Sequence, residues 1–233
     1  MQFSAKSIDL LKSLSKVNRS IVLKKGRTQR VTTKNSNIVC EVVLDNEMPI
    51  DFAVLDLAQL LNVISSFGET ANLEFTEKAV TIKNSSGWTA VYAQCSPELV
   101  LQVETMEAID NDPITLAFDI DAETFSKMIR LAASHGLPQV SFIDTPEGIL
   151  MQAYNKKEAV NKSVESNKIS VMVKTEEKDP SLCVKMPFIA STENLNIETD
   201  SYLVTIAQMG FAQFRSKTLD RRYIILSEME EGY

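Results

Sequence analysis

One histidine, three cysteines and seven glycines set narrow limits on the chemistry open to this chain of 233 residues. His135 follows Ser134, and a hydroxyl beside an imidazole is raw material for a nucleophilic triad. Adjacency in sequence does not aim the ring at that hydroxyl, and a solvated histidine at a helix end accounts for the pair better. Asp110 and Asp112 offer two carboxylates to a hard cation, yet no ligand-loop glycine accompanies them, so they read as a solvated acidic connector. Cys40, Cys95 and Cys183 stand far apart with no CxxC pair, which leaves a structural zinc site short of ligands and fits reduced thiols. The glycines at 26, 68, 87, 136, 148, 210 and 232 never gather into a phosphate-cradling loop, and neither GxxxxGK[ST] nor GxGxxG occurs. The expectation is a protein that is not an enzyme and carries no metal or cofactor.

What does concentrate is positive charge. The chain has a formal charge of −7, with 24 basic and 31 acidic residues. Its first 35 residues hold nine basic side chains (Lys6, Lys12, Lys16, Arg19, Lys24, Lys25, Arg27, Arg30 and Lys34) and one acid, Asp9, leaving 15 basic and 30 acidic residues elsewhere. Lysine and arginine on a helical surface make sequence-independent contacts with phosphates. The asymmetry therefore points to one polyanion-facing surface on an otherwise acidic exterior, with a plain solvated basic face as the alternative. At 44% apolar and 24% charged the chain can bury a core, and no uncharged stretch approaches the roughly 20 residues of a bilayer span. Lysines interrupt the N-terminal segment where a signal peptide needs its apolar run, so the reading is a protein that is neither secreted nor membrane-bound.

The elements that must carry these residues occur twice. Ser4 is a candidate cap for AKSIDLLKSLSK; at about 100° per residue Ile8, Leu11, Leu14 and Ser15 fall inward, and Lys6, Asp9, Ser13 and Lys16 outward, with Lys12 on the margin. DLAQLLNVISSFG gives a second helix between the cap Asp56 and the stop Gly68. Strand-like runs SIVLKK, NIVCEVVL and IDFAVL lie between them, and ANLEF, AVTIKN and WTAVYAQC follow. At an offset of 117 the segment DAETFSKMIRL repeats the first helix, with Asp121 over Ser4, Phe125 over Ile8, Met128 over Leu11 and Leu131 over Leu14; Gly136 stops it. QVSFI, GILMQAYN, KISVMVK and SLCVK then read as strands, PFIASTEN as a short helix with Pro187 in its first turn, and SYLVTIAQ, FAQFRSK and RYIILSEM as three closing strands. NKKEAVNKSVESN reads as a surface loop, and the acidic stretch 98–114 as the join. This predicts an α+β chain of two similar domains, 1–110 with the connector and 111–233, each an antiparallel sheet with two helices.

The opening FSAKSIDLLKSLSKVNRSIVLKKG resembles the start of the DNA polymerase sliding clamps, or processivity factors, of T-even-type bacteriophages, through Ser4, Ile8, Leu10, Leu11, Lys12, Asn18, Ile21, Leu23 and Lys24. IDFAVLDLAQLLNVIS is similar to that family's passage into its second helix, and the length and doubled order agree over the whole chain; NKKEAVNKSVESN and EMEEGY match only loosely. The resemblance implies a closed homotrimeric ring of two-domain subunits around duplex DNA, with helices lining the hole. It implies a protein of DNA replication that tethers a DNA polymerase, is handled by a clamp loader, has transcription factors among its further partners, and works in the cytoplasm of an infected bacterial host.

Carried onto this sequence, the resemblance implies Lys12, Lys16, Arg19, Lys127 and Arg130 facing DNA. It implies ring closure through edge strands at 88–93 and 168–174, with Trp88, Val91, Ile169, Val171 and Val173 at the subunit interface. Partner tails would dock in a pocket beside the connector, with Leu101, Met106, Ile109 and Ile225 as its apolar residues. Competing readings are a single-strand or RNA-binding module, which would want exposed aromatics on a basic sheet where only 7% of residues are aromatic, a structural virion or assembly protein, and a hydrolase.

Overall fold

The structure, a computed structural model, describes residues 1–68, 70–103, 106–159, 167–173 and 188–228. The chain divides into two compact units: Met1–Thr105 with Leu219–Arg221, and Met106–Thr218 with Arg222–Tyr233. Met106 to Asp110 therefore go with the second unit, where the sequence pattern joins them to the first.

In the first unit the order is α1 (Ala5–Val17), β1 (Ile21–Leu23), β2 (Gly26–Thr32), β3 (Ile38–Met48), β4 (Phe52–Val54), α2 (Leu57–Ser66), β5 (Asn72–Phe75), β6 (Ala79–Lys83) and β7 (Thr89–Ala93). β2 pairs with β3, β1 with β4, and β5, β6 and β7 form a meander, all antiparallel. Leu10, Leu11 and Leu14 of α1 and Leu57, Leu60, Leu61 and Ile64 of α2 are buried, as are Cys40, Val42 and Leu44, the alternate residues of β3. α1 packs on both α2 and β3, so one apolar stripe per helix and one face per strand close this core. β2 has no run of apolar residues to announce it; its inward positions are Gln29 and Val31, both fully buried.

The second unit contains α3 (Glu107–Asp110), β8 (Ile114–Ile120), α4 (Ala122–Ser134), β9 (Gln139–Thr145), β10 (Gly148–Tyr154), α5 (Lys156–Ala159), β11 (Lys168–Val173), β12 (Phe188–Ser191), β13 (Tyr202–Ala207), β14 (Phe211–Ser216) and β15 (Arg221–Leu226). Its ladders run β8–β13–β14–β15 and β11–β10–β9–β12, again antiparallel. Where the first core sets one aromatic pair, Phe52 and Phe75 at 5.2 Å, among aliphatic side chains, this one holds an aromatic network. Phe125 of α4 lies 5.5 Å from Tyr202 and 5.8 Å from Phe214, and Phe142 lies 5.3 Å from Phe118 and 6.1 Å from both Phe188 and Phe214. Truncation of a buried ring of this kind typically costs about 3–5 kcal/mol.

PFIASTEN is not a helix where it is described. Phe188–Ser191 is a strand laid on β9, and a turn follows over Thr192–Leu195. Phe188, Ile189 and Ala190 are all buried, and a contiguous apolar triplet belongs to a strand covered on both faces rather than to a one-sided helix. SLCVK, Pro187 and most of NKKEAVNKSVESN lie outside the described residues.

Candidate nucleic-acid interface

All three caps read from sequence are made. The Ser4 hydroxyl accepts the Ser7 N–H at 3.0 Å, the Asp56 carboxylate that of Gln59 at 2.9 Å, and the Asp121 carboxylate that of Thr124 at 2.8 Å. The bond from Thr124 holds the Asp121 carboxyl below its ordinary acidity range, so the cap stays charged at neutral pH. Gly68 and Gly136 follow α2 and α4 at φ of 77° and 63°, a left-handed turn of backbone that glycine makes without strain.

On α1 the caps fix which residues face out. Lys12 and Lys16 are one turn apart on the exposed side, and Arg19 projects just beyond the helix with 74% of its side chain exposed. Lys12 Nζ rests 3.1 Å from Asp9, and Arg19 Nη1 lies 3.7 Å from Asp56. Exposed pairs of this kind are worth at most about 1 kcal/mol, so neither holds its cation against a phosphate. Ser13, expected outward, is 1% exposed: its hydroxyl accepts the Arg221 guanidinium at 2.8 Å. The neighbouring α2 has no charged residue, and its exposed face is Gln59, Asn62, Ser65 and Ser66. On α4, Phe125, Met128, Ile129 and Ala132 are buried, while Lys127 and Arg130 are exposed and, among the described residues, make no ion pair.

The basic segment of the first 35 residues is split by the fold. Lys12, Lys16 and Arg19 stay with α1. Lys6 is 2.8 Å from Asp220 and 3.5 Å from Asp45, Lys24 is 3.2 Å from Asp51, Arg30 Nε is 2.5 Å from Glu41, and Arg27 Nε donates to the Leu44 carbonyl at 2.7 Å. Part of the charge read as one surface therefore belongs to the β1–β2 turn and β2.

β7 and β11 each end a sheet order among the described residues. On β7 and its approach, Trp88 and Val91 are 71% and 67% exposed. On β11 the residues expected at the subunit interface share the inward phase. Ile169 and Val171 are half-buried and Val173 is 6% exposed, a core residue rather than an interface one; the exposed apolar side chain is Met172, at 40%. The pocket residues divide similarly. Leu101 is 47% exposed and Ile109 half-buried, but Met106 at 4% and Ile225 at 0% are core. Ile225 stands opposite Ala212 in the β14–β15 ladder, and both are fully buried. What sequence reasoning missed is the tie that holds α3: Arg222 donates to Asp110 at 2.5 and 3.3 Å, and Asp112 accepts the Met209 N–H at 2.8 Å. The two carboxylates expected in a solvated connector are its fastenings. His135 Nδ1 lies 2.9 Å from the Leu131 carbonyl, and the Ser134 hydroxyl donates to that same oxygen at 2.9 Å, which makes the pair a helix ending. No group of three metal-ligating side chains occurs among the described residues, and no described helix is long and apolar enough to cross a membrane.

Residues 4–101 match the family model for DNA polymerase processivity factors. The sliding clamp of Escherichia phage RB69 is 21% identical over 236 residues, taking in 100% of this chain and 99% of that protein. The chain is similar over its whole length to a phage sliding clamp. The clamp fold extends to two solved structures. A DnaN sliding clamp from Pseudomonas aeruginosa superposes with a TM-score of 0.69 at 11% identity, over 99% of this chain and 66% of that one. A PCNA2–PCNA3 complex from Sulfolobus tokodaii gives 0.66 at 13% identity, over 99% and 100%. At these identities the two structures speak for the clamp fold alone.

Proposed function

We propose that the chain is a sliding clamp: three copies close into a ring around duplex DNA and tether the replicative DNA polymerase for processive synthesis. The observation that carries this is the repeated capped helix, α1 and α4, which presents exposed basic residues in both units. A ring needs only weak contacts, because encirclement prevents escape; mobile, sequence-independent phosphate contacts let it slide where base readout would stop it. The clamp does no chemistry of its own. It raises the polymerase's local concentration at the primer end, a clamp loader opens it, transcription factors are further partners, and its place is the cytoplasm of an infected bacterium.

Retention on DNA tests the reading. A chain loaded onto nicked circular duplex remains bound through gel filtration and leaves once the circle is cut; equal loss from circular and linear DNA overturns the ring.

Partner docking beside the connector is assigned to Leu101, exposed at the end of the first unit. A Leu101→Asp clamp is expected to keep its stability and its trimeric mass and to lose most polymerase stimulation, since burying even one such side chain supplies about 1.5–3 kcal/mol. A Met106→Asp clamp is expected to unfold at markedly lower urea, because it buries a carboxylate. Normal polymerase stimulation by the Leu101→Asp clamp removes this pocket.

A further inference from the structure

The turn joining β1 to β2 is built more rigidly than a surface loop requires. Gln29 is fully buried and commits its whole amide to that turn. Its Oε1 accepts the Lys24 N–H at 2.7 Å, and its Nε2 donates to the carbonyls of Lys24 at 2.8 Å and Gly26 at 3.2 Å. Asp51 takes the Lys25 N–H at 2.7 Å and the Lys24 ammonium at 3.2 Å, and that backbone bond lowers its pKa. Gly26 turns at φ 101°, which a side chain would strain. Arg27, fixed through Nε to the Leu44 carbonyl, has its guanidinium plane set. The result is a fixed turn that carries Lys24, Lys25 and Arg27 in the lining of a cavity of about 400 Å³. Val22, Leu101 and Val103 supply apolar lining, and Arg30 a fourth basic residue.

We propose that this basic turn is a docking site for an acidic segment of a partner protein, its carboxylates on Lys25 and Arg27 and an adjoining apolar side chain in the cavity against Leu101 and Val103. The proposal rests on the clamp reading, in which tethered proteins must be held on the ring. A guanidinium held through its Nε and a lysine carried on a backbone already fixed by Gln29 and Asp51 favour carboxylates, because the turn need not be ordered on binding. The apolar lining suits a peptide side chain. A nucleic-acid strand would ask for an aromatic stacking surface, and the cavity has no aromatic residue.

Fluorescence anisotropy with the full-length trimer separates the possibilities. The probes are a labelled synthetic peptide of consecutive glutamates ending in two leucines, its glutamine-for-glutamate analogue, and a single-stranded oligonucleotide. The expected result is roughly tenfold tighter binding of the glutamate peptide than of its analogue, a preference that shrinks with added salt and disappears in a Lys25→Glu, Arg27→Glu clamp. A Lys25→Arg clamp keeps it. Equal affinity for the two peptides, a preference that survives charge reversal, or an oligonucleotide that displaces the peptide and binds more tightly each overturns the proposal. The charge-reversed clamp is expected to stay on circular DNA as the wild type does. A wild-type chain that leaves circular DNA yet still prefers the glutamate peptide sinks the clamp reading and leaves the basic turn standing.

Discussion

A clamp carrying Lys12→Glu and Arg130→Glu is expected to slide off or fall behind the polymerase, with processive synthesis reduced on the order of tenfold or more at moderate salt. Both side chains are exposed on capped helices whose buried faces they do not touch. The fold has little to lose: a glutamate introduced at position 12, one turn from Asp9, costs about 0.2–0.5 kcal/mol as a like-charge pair. The DNA contact has more to lose, because each lysine or arginine removed from a phosphate lowers the slope of log affinity against log salt by about 0.9, and reversal adds repulsion. Dissociation from circular DNA measured over a salt series gives that slope directly. Single substitutions are expected to have small effects, since many weak contacts share the work. Unchanged processivity together with an unchanged salt slope in the double variant removes α1 and α4 from the DNA-facing surface.

Val171→Pro is expected to turn trimers into monomers. β11 ends its sheet order among the described residues, and an edge strand presents unpaired backbone groups that a neighbouring subunit's edge can complete. Proline removes a backbone donor and stiffens the strand against pairing. Because the same change also strains the β10–β11 ladder, a second variant isolates the interface. Val91→Asp alters a side chain that is 67% exposed in the single chain, so the subunit keeps its stability and loses only assembly. Sedimentation at low concentration is expected to give one-subunit mass for both. A trimer persisting in Val91→Asp excludes β7 from ring closure, and one persisting in Val171→Pro excludes β11.

Those edges were legible in sequence because strand order follows from the doubled pattern of helices and strands, and the helices were legible because their punctuation is local. Ser4, Asp56 and Asp121 need only their own next turn to act as caps, and Gly68 and Gly136 need only a positive φ. The failures share a different cause. β2 hides because its inward Gln29 is polar, satisfied by a turn three residues upstream that no periodicity reports. Ser13 points inward because Arg221, more than two hundred residues away, reaches it. Ile169, Val171 and Val173 are expected at the subunit interface from their place on an edge strand, and the face each side chain takes is decided by the sheet beneath it, which buries Val173. Met106 and Ile225 are expected in a docking pocket through the resemblance, yet both are buried, and apolar character marks core residues as readily as docking ones. PFIASTEN carries a helix-like start, and burial of Phe188 through Ala190 makes it a strand.

The contrast between a first core with a single aromatic pair and a second with an aromatic network bears on the history of the repeat. Two halves that still share a capped opening helix at an offset of 117 residues have lost the ability to exchange interiors. Leu11 and Leu14 sit in one where Met128 and a network of phenylalanines and tyrosines sit in the other. Close-packed interiors tolerate change chiefly when volume is conserved as a set, so each half must have drifted by compensated steps within its own core. Selection has since acted on two independent packing problems that share one backbone plan. What the offset still carries is the cap and the apolar stripe; the cations do not follow it, since Lys12 and Lys16 fall over Ile129 and Ala133.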